Sequence, residues 1–231
     1  LLQSVKGTIM RFFTQFIPIF ALTATVASAD NWPAWRGPNQ SGSAISGNYP
    51  ADLTDPANLA WKLPLADKGC STPIVWENRI FITGPKKGQD TVTAISWDGK
   101  ILWEKSIGKE RRGKHRNGSG SNPSCVTDGD AIFAYFKSGN LAGFTLEGKL
   151  LWKTNLQDRF ARDTLYWDIG TSPVLTVKHV VLAVMHSGES YLAAFDKRTG
   201  ELLWRSGVTH AKKETTHKTN PYCSGSPATD G

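Results

Sequence analysis

The sequence is poor in the residues that most often announce chemistry. It holds 3 Cys and 2 Met in 231 residues. Cys70, Cys125 and Cys223 form neither a CxxC pair nor an adjacent pair. That excludes a zinc knuckle or a thioredoxin-like motif built from them. An odd cysteine count leaves a free thiol or a partner outside the sequence. P-loop, GxGxxG and Ser-His-Asp signatures are lacking. His210 and His217 have no third ligand at usable spacing, so no metal site is expected. Long apolar runs are lacking too: the stretch Phe12 to Val26, broken by Pro18 and several Thr, falls short of the ~20 residues a membrane-spanning helix needs.

What is present points to short strands and many turns. Gly (22), Pro (12) and Trp (9) are plentiful, while hydrophobic (39%) and charged (20%) fractions are those of an ordinary globular chain. The net charge of +7 and pI near 9.3 raise the question of an anionic partner. The basic residues scatter instead of clustering, which reads as a solvated surface, and no specific nucleic-acid partner is expected.

The N-terminal region reads as an export signal. Met10-Arg11, the apolar stretch to Val26, and Ala27-Ser28-Ala29 supply a positive start, a hydrophobic segment and a small-x-small cleavage site. Cleavage would leave Asp30 first, where a lipoprotein needs Cys. The expected product is therefore exported to the periplasm or beyond, with no membrane span after cleavage. Residues 1–9 precede Met10 and read as upstream sequence or an over-extended start. Residues 10–29 are the signal, 30–58 an N-terminal extension and 59–231 the folded body.

That body repeats. Ser71-Thr72-Pro73, Asn122-Pro123-Ser124 and Thr171-Ser172-Pro173 each open a unit of four β-rich runs, with prolines at 73, 123 and 173. The units close on Trp103, Trp152 and Trp204, each shortly after a turn glycine (Gly99, Gly148, Gly200). Four short strands at a period of roughly fifty residues describe a propeller blade. The expected fold is all-β: a partial β-propeller of four-stranded antiparallel blades, three present and a fourth begun at Gly225-Ser226-Pro227. A lone four-stranded sheet cannot cover both its faces, so blades must stack. The recurring Trp supplies flat apolar area and an N–H for a partner at the blade edge. Trp61, Trp103, Trp152 and Trp204 are the expected blade-packing residues.

Asp98-Gly99-Lys100-Ile101-Leu102-Trp103, Glu147 to Trp152 and Phe195 to Trp204 closely resemble the PQQ-like repeat of the quinoprotein-like superfamily. Trp32-Pro33-Ala34-Trp35-Arg36-Gly37-Pro38 resembles the opening of secreted PQQ-like repeat proteins of planctomycete-type bacteria. Leu59-Ala60-Trp61-Lys62-Leu63 resembles a fourth strand arriving without its own blade, of the kind that closes a propeller ring. The resemblance implies a ring of seven or eight blades, so the sequence reads as an N-terminal fragment. Quinoprotein dehydrogenases of this superfamily hold pyrroloquinoline quinone and calcium, commonly beside a vicinal disulfide. No adjacent cysteines and no calcium-binding set occur here. The implied function is thus a non-catalytic scaffold of the BamB type, without cofactor. A quinone- and calcium-dependent dehydrogenase, its catalytic residues outside this sequence, is the alternative.

Three connections between blades are long: roughly 105–121, 155–170 and 205–224. By propeller geometry they emerge on one face. Arg111, Arg112 and Arg116 in the first, Tyr166 and Trp167 in the second, and Lys212 and Lys213 in the third form a candidate ligand face. Basic charge with exposed aromatics suits a protein or glycan of the cell envelope, or a polyanion.

Overall fold

The computed structural model describes residues 31–44, 47, 49–163, 168–184 and 190–207. Among these residues twelve strands form three antiparallel sheets, each in sequential order. Blade 1 comprises β1 (Ile74–Trp76), β2 (Arg79–Lys86), β3 (Gln89–Ser96) and β4 (Ile101–Lys109). Blade 2 comprises β5 (Val126–Thr127), β6 (Ala131–Tyr135), β7 (Asn140–Thr145) and β8 (Leu150–Asn155), followed by the one-turn helix α1 (Leu156–Arg159). Blade 3 comprises β9 (Val174–Leu175), β10 (His179–Val184), β11 (Tyr191–Asp196) and β12 (Leu202–Gly207). These are propeller blades.

Period-two alternation explains the stacking. In β6 all five residues are buried because both faces have a neighbour. Ala131, Phe133 and Tyr135 face blade 3, where they meet Val180, Leu182 and Phe195. Ile132 and Ala134 face blade 1, where they meet Phe81, Val92 and Ala94. Each large side chain so buried contributes about 1.5–3 kcal/mol.

Each outer strand carries the same irregularity. Ala94 pairs with Trp103 but Ile95 with Ile101, so Leu102 is an extra residue. Leu151 in blade 2 and Leu203 in blade 3 are extra in the same way. The bulge turns the next residue, the tryptophan, into the gap between blades and interrupts an otherwise open edge.

The register also corrects the repeat alignment. Ile74, Val126 and Val174 occupy equivalent places, opposite Phe81, Phe133 and Val181. Pro73 and Pro173 are therefore equivalent, but Pro123 is not: it stands where Ser71 and Thr171 stand, and Cys125 takes the proline's place. The even proline spacing is a coincidence of loop length. The equivalent small residues are Thr72, Ser124 and Ser172, and they form a hydroxyl ladder. Thr72 N–H donates to Ser124 Oγ at 2.8 Å, and Ser124 N–H to Ser172 Oγ at 3.0 Å.

The N-terminal extension is docked on the inner strands. Trp32 exchanges two backbone hydrogen bonds with Val75, at 2.8 and 2.9 Å. Pro33 O accepts from Thr127 N–H at 2.9 Å, tying the segment to blade 2 as well. The expected strand at Leu59–Leu63 belongs to no sheet among the described residues. Its Trp61 nevertheless sits on the β3–β4 turn, donating from Nε1 to Trp97 O at 2.9 Å.

Candidate functional site

Strand polarity sorts the turns into two faces. The β1–β2 and β3–β4 turns lie at one end of each blade, the β2–β3 turns and the connections between blades at the other. The first end is where the tryptophans dock. Trp103 Nε1 donates to Leu146 O at 2.9 Å, and Trp152 Nε1 to Lys197 O at 2.8 Å, each bond crossing to the next blade's turn. Trp204 is 44% exposed, against 8% for Trp152.

The opposite end is the loop face, and its first connection is shorter than the sequence suggests. Strand β4 runs on to Lys109, because a register shift at Asp90/Thr91 lets it follow β3 to its start. The remaining loop, from Glu110, is anchored by groups from two neighbouring segments. Asp168 accepts from Lys114 N–H at 2.8 and 3.0 Å and from His115 N–H at 3.1 Å. It also pairs with Lys137, with side-chain exposures of 6% and 1%. Burial raises the Asp168 carboxyl, but Lys137 and the two N–H donors outweigh it and hold the group below the usual carboxylate range. Arg111 donates to Asp163 O at 2.8 Å and stands 3.4 Å from its buried carboxylate. Lys68 Nζ donates to Arg116 O at 2.8 Å and Cys70 Sγ to Asn117 O at 3.0 Å. Gly113 completes the fold-back, since a Cβ there would lie 2.7 Å from Ser119 backbone.

Of the candidate ligand residues, then, Arg111 is half-buried and engaged in holding two connections together. Arg112 and Arg116 are exposed, with no ion pair among the described residues. Tyr166, Trp167, Lys212 and Lys213 lie outside the described residues. The structure adds Lys137, Asp163 and Asp168 as the groups that fix the face. None of the three stands among the candidate residues read from the sequence. A lysine directly after the buried run Ala131–Phe136 is the one local hint of its burial.

A further buried carboxylate joins blades 1 and 2 at this end. Asp90 accepts from Asn140 Nδ2 at 2.8 Å and from Ser138 Oγ on one oxygen, while Oδ1 has no partner. Burial pushes its carboxyl up to about 6, against the lowering effect of those two donors.

Among the described residues no group of three His, Cys, Asp or Glu stands together. Asp163 and Asp168 could turn to a cation only by abandoning ion pairs that are themselves largely buried. Cys70 is exposed and Cys125 buried, in different blades, and burial pushes the Cys125 thiol up to about 12.

Residues 45–221 match the family described as outer membrane protein assembly factor BamB. The chain belongs to that family. No curated protein matches it. Among solved structures, the quinohemoprotein alcohol dehydrogenase from Comamonas testosteroni is similar at a TM-score of 0.55 and 20% identity, over 80% of this chain and 28% of that one. BamB from Moraxella catarrhalis is similar at a TM-score of 0.38 and 15% identity, over 56% of this chain and 33% of that one. A europium-containing methanol dehydrogenase gives 0.44 and 15%, over 60% and 24%. The chain thus spans a third or less of the length of these structures, and the likeness to them is one of fold. Among the described residues no helix is long and apolar enough to cross a membrane.

Proposed function

We propose that the chain is part of an exported, non-catalytic propeller scaffold that binds a protein or glycan of the cell envelope across its loop face. The observation that carries this reading is the use made of charge there. Three buried ionisable groups of the loop face, Lys137, Asp163 and Asp168, are committed to holding backbone and loops in place. Outward-pointing Arg112 and Arg116 are left for contact. A rigid frame presenting exposed loop side chains is the arrangement of a recognition surface. It also lowers the ordering cost of association. An export signal read at residues 10–29, with mature protein starting at Asp30, supports a location for this surface in the periplasm or outside the cell.

The reading is tested with the intact exported protein. Saturating pyrroloquinoline quinone and calcium should leave its tryptophan fluorescence unchanged, and dye-linked alcohol oxidation should stay at background. A photo-crosslinker at Arg112 should trap an envelope component that one at Arg79, on the opposite face, does not. Saturable quinone binding with alcohol oxidation would replace the scaffold by the dehydrogenase. N-terminal sequencing of the periplasmic fraction tests the cleavage site.

A further inference from the structure

We infer that the loop face of blade 1 holds a docking pocket for a partner-protein segment in which a basic residue stands beside an acidic one. This deepens the scaffold reading and rests on it. A cavity of about 260 Å³ opens between the chain leading into β1, the β2–β3 turn and the start of the first inter-blade loop. Four of its lining residues are charged, in two signs: Asp67 and Glu110 against Lys68 and Arg112. At this size it admits a side chain, and it falls below the roughly 300–1,000 Å³ of sites that enclose a small-molecule ligand.

The charges in the pocket are not satisfied by one another. None of the six ion pairs among the described residues includes Asp67, Glu110, Lys68 or Arg112. Lys68, the nearest ammonium in sequence, spends a hydrogen bond on Arg116 O. Burial and then the negative charge of Asp67 both raise the Glu110 carboxyl, and Arg112 and a hydrogen bond from the Gly120 backbone only partly oppose them. Two carboxylates that repel each other across a wet cavity are relieved by an incoming cation. Arg112, exposed at the rim, offers a planar fork suited to a carboxylate.

Mixed sign decides the class of partner. A phosphate- or sulfate-rich polymer would gain at Arg112 and Arg116 but meet Asp67 and Glu110 at close range, and like-charge juxtaposition across an interface is costly. A peptide carrying Lys or Arg next to Asp or Glu satisfies both signs. The pocket is also prepared for such a guest. Gly88 and Gly113 contribute no side chain to the wall, and a Cβ built on Gly88 meets nothing within 4 Å, so a guest backbone has room. Asp168 clamps the opposite side of the loop, so little ordering is left to binding.

The probe is a short fluorescent peptide repeating Gly-Lys-Asp, titrated into the intact protein at low salt and followed by anisotropy. It should bind at least about tenfold more tightly than the neutral Gly-Gln-Asn repeat. The double variant Asp67→Asn/Glu110→Gln should lose about that advantage, and Arg112→Ala a several-fold part of it. Arg79→Ala, on the far face, should leave it unchanged. Equal affinity for both peptides, or an advantage that survives the double variant, overturns the pocket. So does heparin that binds the parent protein more tightly than the Gly-Lys-Asp peptide and displaces it, which would identify a polyanion surface instead. The two levels separate cleanly. Crosslinking to an envelope component that the pocket variants leave intact sinks the pocket and spares the scaffold. Quinone-dependent alcohol oxidation sinks the scaffold whatever the peptide does.

Discussion

The ring of Trp103 lies directly over Gly148 in the next blade, so close that a Cβ on that glycine would be 2.6 Å from it. Gly148 is also at φ +81°, where side chains are strained. Gly88 shares the conformation, at φ +74°, with open space where its Cβ would go. The pair separates two costs. Gly88→Ala should destabilise by about 1 kcal/mol from backbone strain alone. Gly148→Ala should cost roughly 2–4 kcal/mol, because the indole must also lift and its bond to Leu146 O must lengthen. Denaturant midpoints compared at equal slope check this, and equal costs would mean the stack is soft.

Asp90 makes the contact between blades 1 and 2 sensitive to pH. Its carboxyl is raised from 3.8 to about 6 by burial, so the folded state holds the proton more tightly than the unfolded chain. The stabilisation is therefore full below about 4 and is lost as pH rises through 6. Its size is on the order of 2–3 kcal/mol for a shift of this magnitude. Asp90→Asn should match the parent near pH 4 and exceed it at pH 7.5. Thermal melts at both values read the difference, and an Asn variant that follows the parent at all pH values would show that Asp90 does not titrate here.

The tryptophan and turn-glycine pattern was fully legible, because a residue that packs in every blade must recur with the blade. Trp103 and Gly148 are visible by spacing alone. The proline pattern misled for the same reason: a count of residues cannot show that blade 2 has shifted Pro123 by two places relative to its strand pairing. Lys137 and Asp168 were invisible as a pair. Each sits in a polar connection, and only the stacking of blades brings one loop's carboxylate over another's turn. The leucine at each bulge likewise reads as part of an apolar run, yet Leu151 is 42% exposed in a blade covered on both faces.

Lys137 and Asp168 should behave as a buried pair whose loss is worse than its absence. Lys137→Met leaves an unpaired carboxylate and should cost about 3–5 kcal/mol. Asp168→Leu strands the ammonium and two N–H groups as well. The double variant should be less unstable than the sum of the singles by more than about 1 kcal/mol. With Asp168 held below the usual range, the pair's contribution is present above the unfolded value and is lost only as pH falls through the lower folded one. A double-mutant cycle at neutral pH measures the coupling, and simple additivity would mean the two side chains act independently.

In a polypeptide restricted to residues 30–231, blade 2 should be the last part to open. Its faces are both covered, by Phe81 and Val92 on one side and by Val180 and Phe195 on the other. Its inner strand is held by the N-terminal segment through Thr127 N–H. Blade 1 has its second face partly overlaid by the stretch around Trp61, and in blade 3 Trp204 is 44% exposed. Opening free energies follow local burial, so amides of β6 and β7 should exchange only on global unfolding, while those of β11 and β12 exchange through smaller openings. Trp152→Phe removes the bond to Lys197 O but keeps most of the stacking area, and should speed exchange in blade 3 before blade 2. Native-state exchange of the parent and this variant tests the order. Protection in β11 equal to that in β6 would mean that the blades open as one unit and that stacking on both faces confers no local advantage.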